Sequence, residues 1–191
     1  MKNTLKEILN SYGDPESPKE SKINHDTIVE WMNEEDLNTL GALYSLLIKH
    51  VYNKRITPAL SFDEYFSFFK KYYNGCIIEN PMSEDIDSYL MSRYSAGADL
   101  SSWVISISNN KNISSHYIYE IKKWLERLYI NNNQEIRLCL VNSVFEHVFK
   151  SKKIAKLFRD WNAHPILRDA YKDAMYFAKR VNKLSKTKPD Y

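Results

Sequence analysis

One stretch, residues 134–161, constrains the fold of this chain more than any other. Its apolar residues recur every three or four positions and cover much more than a third of a helical circumference. The apolar set comprises Ile136, Leu138, Cys139, Leu140, Val141, Val144, Phe145, Val148 and Phe149. A helix that is apolar on nearly every side has to lie inside other helices rather than on their surface. The sequence therefore predicts an all-α fold with a buried helix over residues 134–150, the central segment, at its centre.

Apolar residues at the same helical spacing predict the remaining helices. The predicted helices lie near residues 4–12, 37–51, 62–80, 84–107, 115–128, 152–161 and 165–181, and residues 28–32 form a short apolar face. Asn33 and Asp36 precede one of them, Ser61 and Glu64 have the spacing of a capping box, and Pro165 suits the first position of the last. We therefore expect seven or eight packed helices in a single domain.

The composition supports this interpretation. A hydrophobic share of 43% and a charged share of 27% are ordinary for a soluble protein, and four glycines and six prolines are few for a strand-rich fold. We expect the helical domain to span residues 25–182, after a short N-terminal helix and polar linker at 1–24 and before a basic tail at 183–191. The net charge of +3 is too mild to argue for a nucleic-acid partner.

The cysteines and the N-terminal residues predict a cytoplasmic protein. Cys76 and Cys139 each lie in an apolar run without a C-x-x-C spacing, which is typical of small buried side chains in a reducing compartment. The N-terminal residues contain no uninterrupted apolar segment, and no apolar run approaches the ~18 residues that a membrane span needs. We expect no signal peptide and no membrane partner.

We expect no metal site and no cofactor. The five histidines are scattered, none pairs with another at metal-ligand spacing, and no zinc-protease, serine-hydrolase or phosphate-loop motif occurs. Glu146 and His147 are neighbours on a predicted helix and point in different directions. That geometry is poor for a catalytic pair and favours a structural role.

The strongest catalytic candidate is the segment from Arg159 to His164. It resembles the R-x4-6-H motif of HEPN-type ribonucleases, which are also all-α. That resemblance implies an arginine and a histidine lining a dimer cleft, with the histidine helping the ribose 2′-hydroxyl to attack the phosphate. Pro165 begins a new helix and separates the two residues, so a structural role is favoured and we expect a protein that is not an enzyme.

Two basic clusters follow the central segment. They comprise Lys150, Lys152, Lys153, Lys156 and Arg159, then Lys179, Arg180, Lys183, Lys186 and Lys188. Phosphate binding requires such residues to gather on one face with aromatic side chains nearby. The favoured interpretation is a solvated helix junction and a solvated tail, so nucleic acid is not the expected partner.

The pattern over residues 125–171 resembles small all-helical bacterial immunity proteins, which are encoded beside contact-dependent and other polymorphic toxins. The resemblance is carried by Leu125-Glu126, Tyr129, Asn131 to Asn133, Val141 to Phe149, Phe158-x-x-Trp161 and Pro165-x-Leu167-x-x-Ala170-Tyr171. It implies a non-catalytic protein that binds and neutralises one cognate toxin domain. Two alternatives remain open: a helical interaction or regulatory module with weak nucleic-acid binding, and a helical ribonuclease.

Acidic helix starts are the predicted docking site for a toxin. Polymorphic toxins are often nucleases with basic active sites, so a local acidic patch would be complementary to them. Tyrosines beside the patch would add aromatic anchors of the kind that dominate binding energy. The predicted contact residues are Glu34, Glu35, Asp36, Glu84, Asp85, Asp87, Tyr89 and Tyr94. Capping of the helices is the alternative explanation for the acidic residues.

Overall fold

A computed structural model gives the fold and describes residues 3–11, 22–50, 55–81 and 89–186. The structure is all-α, as predicted, with one short pair of strands in the described residues. The chain forms two compact units, residues 1–92 and 93–191. The single domain over residues 25–182 stays a prediction.

The first unit contains four described helices and the strand pair. The helices are α1 (Asn3–Ser11), α2 (His25–Met32), α3 (Leu37–Ser45), which continues as a π-helical turn at Leu46–His50, and α4 (Phe62–Glu79). Strands β1 (Ile23–Asn24) and β2 (Ile56–Thr57) pair in parallel, with Ile23 opposite Ile56. The sequence did not predict these strands because two residues are too few to show an alternating pattern.

Helix α3 organises the first unit, because it packs against α1, α2 and α4. The hydroxyls of Tyr44 and Tyr73 are hydrogen-bonded at 2.8 Å, and the ring of Tyr44 stacks on that of Tyr72 at a centroid distance of 4.9 Å. All three tyrosines are buried. The aromatic run that predicted α4 therefore supplies the contact that joins it to α3.

The helix caps of this unit confirm one prediction and correct another. Ser61 and Glu64 form the predicted capping box at the start of α4. Helix α3 is capped by Asp36 alone, because Asn33 is the C-terminal cap of α2 rather than a residue at the start of α3. The polar residues between the two helices therefore end one and begin the other.

The second unit contains the central segment. Its elements are α5 (Arg93–Asn109), α6 (His116–Ile130), α7 (Gln134–Cys139), a π-helical stretch (Leu140–Phe145), α8 (Glu146–Val148), α9 (Lys152–Leu157), a 3₁₀ turn (Arg159–Ala163) and α10 (Leu167–Lys186). Helices α7 and α8 and the π-helical stretch between them follow one another without a break, which confirms the predicted helix. Both α5 and α10 pack against the π-helical stretch and α8.

The apolar side chains of the central segment are buried within its unit, with one exception. Its fully enclosed side chains include Leu140, Val144, Phe145 and Val148, each with no exposed surface. Leu138, which the sequence pattern placed in the core, is instead 46% exposed. A segment that is apolar nearly all round therefore leaves one apolar side chain at the surface.

Two further predictions about helix ends are wrong. Residues 89–92, which lie inside the helix expected from residue 84, are not helical, and α5 begins at Arg93. The tail expected from residue 183 is helical as far as Lys186. The helical spacing of residues 86, 89, 90 and 94 extended the first prediction too far, because spacing alone does not show where a helix starts.

The two cysteines and the membrane prediction can be compared with the structure directly. Cys76 and Cys139 have no exposed surface, as expected of small apolar side chains. Within residues 3–11, 22–50, 55–81 and 89–186, no helix has both the length and the hydropathy that crossing a membrane requires.

Candidate partner-binding surface

The predicted acidic site at the start of α3 is largely engaged within its own unit. The Asp36 carboxylate accepts hydrogen bonds from the Thr39 amide at 3.1 Å and from the Thr39 hydroxyl at 2.5 Å. The Glu34 carboxylate accepts from the Thr4 hydroxyl at 2.8 Å. Glu35 is exposed. Capping and local contacts therefore account for two of these three residues.

The other predicted contact residues do not form one site. Glu84, Asp85 and Asp87 lie outside the described residues. Tyr89 was expected on the same helix as Tyr94, but Tyr89 precedes α5 and belongs to the first unit, whereas Tyr94 lies in α5 and belongs to the second. Tyr94 is 50% exposed.

The backbone of Tyr89 is held by two side chains of its own unit. Its amide donates to Asn38 Oδ1 at 3.0 Å, and its carbonyl accepts from the Tyr72 hydroxyl at 3.0 Å. These bonds fix the chain after the undescribed residues 82–88. The structure gives Tyr89 a backbone role and does not test it as a partner contact.

His164 has the structural role that the sequence favoured. Its Nδ1 accepts hydrogen bonds from the amides of Ile166 and Leu167, each at 3.2 Å, and its carbonyl accepts from the Arg168 amide at 3.0 Å. The residue thus caps the N-terminus of α10 with its side chain and its backbone. Pro165 lies in the turn that this cap closes, two residues before the assigned start of the helix.

A second candidate surface lies on α10, around Tyr176. Its ring is 70% exposed, the largest exposure among the large apolar side chains of the described residues. Tyr176 lines two grooves of the second unit, one of about 420 Å³ and one of about 330 Å³. We call the larger one the Glu146 groove and the smaller one the basic groove.

The Glu146 groove combines apolar side chains with carboxylates. Its lining residues are Tyr129, Gln134, Arg137, Leu138, Val141, Asn142, Glu146, Asp173, Tyr176 and Phe177. In the described part of the chain, neither the Glu146 nor the Asp173 carboxylate accepts a hydrogen bond or forms an ion pair. Burial raises the pKa of Glu146 above that of an ordinary glutamate, and the nearby Asp173 raises it further, whereas Lys150 opposes the shift.

Arg137 lines this groove and forms hydrogen bonds with the end of α6. Arg137 donates from Nε to the Tyr129 carbonyl at 2.9 Å and from its terminal nitrogen to the Ile130 carbonyl at 2.8 Å. Its guanidinium also lies 5.5 Å from the centre of the Tyr129 ring. Arg137 therefore satisfies carbonyls at the end of α6 rather than pairing with either carboxylate.

The basic groove lies on the other side of Tyr176. Its lining residues are Arg159, Asn162, Tyr171, Lys172, Met175, Tyr176 and Lys179. Lys172, Tyr176 and Lys179 follow one another at helical spacing along α10, and Arg159 comes from the 3₁₀ turn. Arg159 belongs to the first predicted basic cluster and Lys179 to the second. Both line this groove together with tyrosines, which is the arrangement that phosphate binding requires.

Sequence reasoning missed most of this surface. Leu138 was assigned to the core and Glu146 to a structural role, and Asp173 and Tyr176 were not considered. One signal was available: the buried side of α10 follows Leu167, Ala170, Ala174 and Ala178, so Tyr176 falls on the opposite side of the helix. The meeting of α7, α8 and α10 in one groove depends on packing that no local pattern shows.

Neither a metal centre nor a known relative accounts for these grooves. Among the described residues, no three His, Cys, Asp or Glu side chains gather closely enough to hold a metal ion. No protein-family model, curated protein or solved structure matches this chain. The resemblance to immunity proteins therefore stays a prediction.

Proposed function

We propose that this chain is a non-catalytic binding protein that neutralises a cognate bacterial toxin domain, which docks in the Glu146 groove. The observation that supports this proposal is the groove itself. The exposed side chains of Tyr176 and Leu138 lie there beside the carboxylates of Glu146 and Asp173, and neither carboxylate forms a hydrogen bond or an ion pair within the described residues. Tyrosine is one of the residue types enriched among the few residues that dominate the binding energy of a protein interface.

The charge of the groove indicates what kind of partner fits. Glu146 and Asp173 would pair with lysine or arginine side chains, and basic residues surround the active sites of nuclease toxins. The groove thus replaces the helix starts at residues 34–36 as the acidic surface that the toxin hypothesis needs. The resemblance over residues 125–171 supports the same partner class and covers the elements that form most of the groove.

The ribonuclease alternative receives less support. The proposed catalytic histidine, His164, uses Nδ1 and its carbonyl to begin α10. The site would also need Arg159 to act with it, and Arg159 lines the basic groove instead. A protein that binds and blocks is the better fit to these contacts.

Protection of cells tests the proposal. The toxin to use is the C-terminal domain of the large exported protein encoded beside this gene, expressed in a host with and without this chain. We expect growth arrest with the toxin alone and growth when the full chain is present. Growth arrest in both cases, with the chain present in the cell, or the absence of such a neighbouring gene would overturn the proposal.

A matched pair of variants tests the docking site. Glu146→Gln with Asp173→Asn removes both carboxylates of the groove, and Glu30→Gln with Glu35→Gln removes two exposed carboxylates of the first unit. We expect the first variant to lose protection and the second to keep it. If the second loses protection and the first keeps it, the toxin docks on the helix start that the sequence predicted, and the groove assignment is wrong.

A further inference from the structure

We propose that the basic groove binds a single-stranded nucleic acid, with Arg159, Lys172 and Lys179 on its phosphates and Tyr176 against a base. Tyr176 lines both this groove and the Glu146 groove, but Arg159, Lys172 and Lys179 line this groove alone. The proposal does not rest on the proposed function. The cations come from two elements, the 3₁₀ turn and α10, and they meet in one groove of about 330 Å³.

The cations of the groove are available to a ligand. In the part of the chain that the structure describes, none of the three side chains donates a hydrogen bond or forms an ion pair, and each is exposed. By contrast, Lys122 is paired with the Asp160 carboxylate at 2.5 Å. No carboxylate is among the described residues that line the groove. An anion would therefore meet cations that no described carboxylate pairs with.

The spacing of the cations suits a chain of phosphates. Lys172 and Lys179 are seven residues apart on one helix, which corresponds to a rise of about 10 Å. Successive phosphates of a stacked strand are separated by only ~3.4 Å along its axis. The two lysines can thus contact different phosphates of the same strand.

The aromatic residues of the groove favour nucleic acid over an acidic peptide. The Tyr176 ring is 70% exposed and contacts no other ring in the described residues, so a base can stack on it. The Tyr171 ring packs on Phe149 at 5.5 Å, which anchors that side of the groove in the core. The Asn162 amide can donate to and accept from a base edge. An acidic peptide would use the cations but would have no need of an exposed ring.

Fluorescence anisotropy with the full chain and a labelled 12-nucleotide oligouridine tests the proposal. Three phosphate contacts on a single strand give a slope of about −2 in log affinity against log salt. Raising the salt from 50 to 200 mM should therefore weaken binding about twentyfold. An oligothymidine of the same length shows whether the ribose 2′-hydroxyl matters. Absent binding to both oligonucleotides, or affinity that does not change with salt, would overturn the proposal.

Two pairs of variants locate the site. Arg159→Ala with Lys172→Ala and Lys179→Ala should abolish binding, whereas Arg127→Ala with Lys6→Ala and Lys111→Ala removes the same number of exposed cations elsewhere and should weaken it at most threefold. Tyr176→Ala should weaken binding at least fivefold and Tyr176→Phe should not. Circular dichroism confirms that each variant is folded. Equal losses in the two triple variants would show non-specific attraction and contradict the proposal.

Two controls separate this proposal from the others. A labelled 12-residue polyglutamate that binds more tightly than oligouridine, with no effect of Tyr176→Ala, would assign the groove to an acidic protein segment and overturn the proposal. Glu146→Gln with Asp173→Asn should leave oligouridine binding intact. A loss there would show that the two grooves are one site and would also contradict the assignment.

Discussion

The ring of Phe145 meets the ring of Trp161 edge to face, with centroids 5.1 Å apart and planes at 82°. Phe145 has no exposed surface, and Trp161 is 1% exposed. Phe145 belongs to the π-helical stretch and Trp161 to the 3₁₀ turn, so this pair joins the central segment to the turn that precedes α10. Edge-to-face aromatic pairs stabilise beyond the area that they bury.

Truncating Phe145 should strongly destabilise the protein. We expect Phe145→Ala to lower the free energy of unfolding by about 3–5 kcal/mol, because the cavity removes apolar contacts on every side. Leu138→Ala, on the same segment but 46% exposed, should cost less than about 1 kcal/mol. Urea unfolding followed by circular dichroism measures both. A loss below about 1 kcal/mol for Phe145→Ala would place the residue outside the core.

At Gly97, helix α5 lies too close to the central segment to leave room for a side chain. A Cβ at position 97 would overlap Ser143 Oγ and lie 2.8 Å from Ser143 Cβ. Gly97→Ala should therefore destabilise by about 1–3 kcal/mol or more through overpacking. Adding Ser143→Gly removes the obstructing side chain, so the double variant should lose less than the sum of the two single losses. Additive losses in urea unfolding would contradict the contact.

The sequence predicted the central helix of the second unit because long runs of apolar residues at helical spacing form the core of that unit. Val144, Phe145 and Val148 follow such a spacing, and all three are buried. The start of α5 could not be predicted in the same way, because residues 89–92 carry the same spacing without being helical. The two-residue strands at Ile23 and Ile56 are set by contacts across the chain rather than by a local pattern.

His164 should contribute to stability through the cap of α10. Replacing it with alanine removes the acceptor for the Ile166 and Leu167 amides and should cost about 0.5–2 kcal/mol. His164→Asn offers another acceptor at the same position and should lose less. Thermal unfolding at a fixed pH compares the two variants with the wild type. Equal losses for alanine and asparagine would show that the side-chain cap is unimportant.

Glu146 should lower the stability of the free protein at neutral pH. Burial raises its pKa, so its ionised form is less favourable in the folded state than in the unfolded chain. The stability that protonation of Glu146 provides is fully present below the pKa that this residue has in the unfolded chain. It is lost as the pH rises through the pKa that the residue has in the folded protein. We therefore expect Glu146→Gln to be more stable than the wild type at pH 7.5, and this difference to shrink near pH 4.

Urea midpoints at the two pH values measure this effect, and Glu35→Gln is the control. If Glu146→Gln gains stability but loses toxin protection, the partly buried carboxylate lowers the stability of the free protein and contributes to toxin binding. If Glu146→Gln is no more stable than the wild type at pH 7.5, or if the difference persists at pH 4, the carboxylate is not destabilising.

The candidate site was harder to predict than the fold for a physical reason. The sequence shows which residues are apolar along one helix, but the Glu146 groove combines Leu138 of α7, Glu146 of α8 and Tyr176 of α10. The acidic residues at helix starts were visible as clusters, and local contacts then accounted for Asp36 and Glu34. The basic residues were identified from the sequence, but their meeting with Tyr176 was not.

The dissociation constant of the chain and its toxin domain, compared between Tyr176→Ala and the wild type, tests the central claim most directly. Tyr176 is 70% exposed and lines the groove in which the toxin is proposed to dock, whereas Tyr119 on α6 is 49% exposed and lines neither groove. A central interface tyrosine contributes about 2 kcal/mol or more, which corresponds to roughly a thirtyfold rise in the dissociation constant. We predict at least that rise for Tyr176→Ala and less than about a threefold rise for Tyr119→Ala. Wild-type affinity in folded Tyr176→Ala would contradict the account.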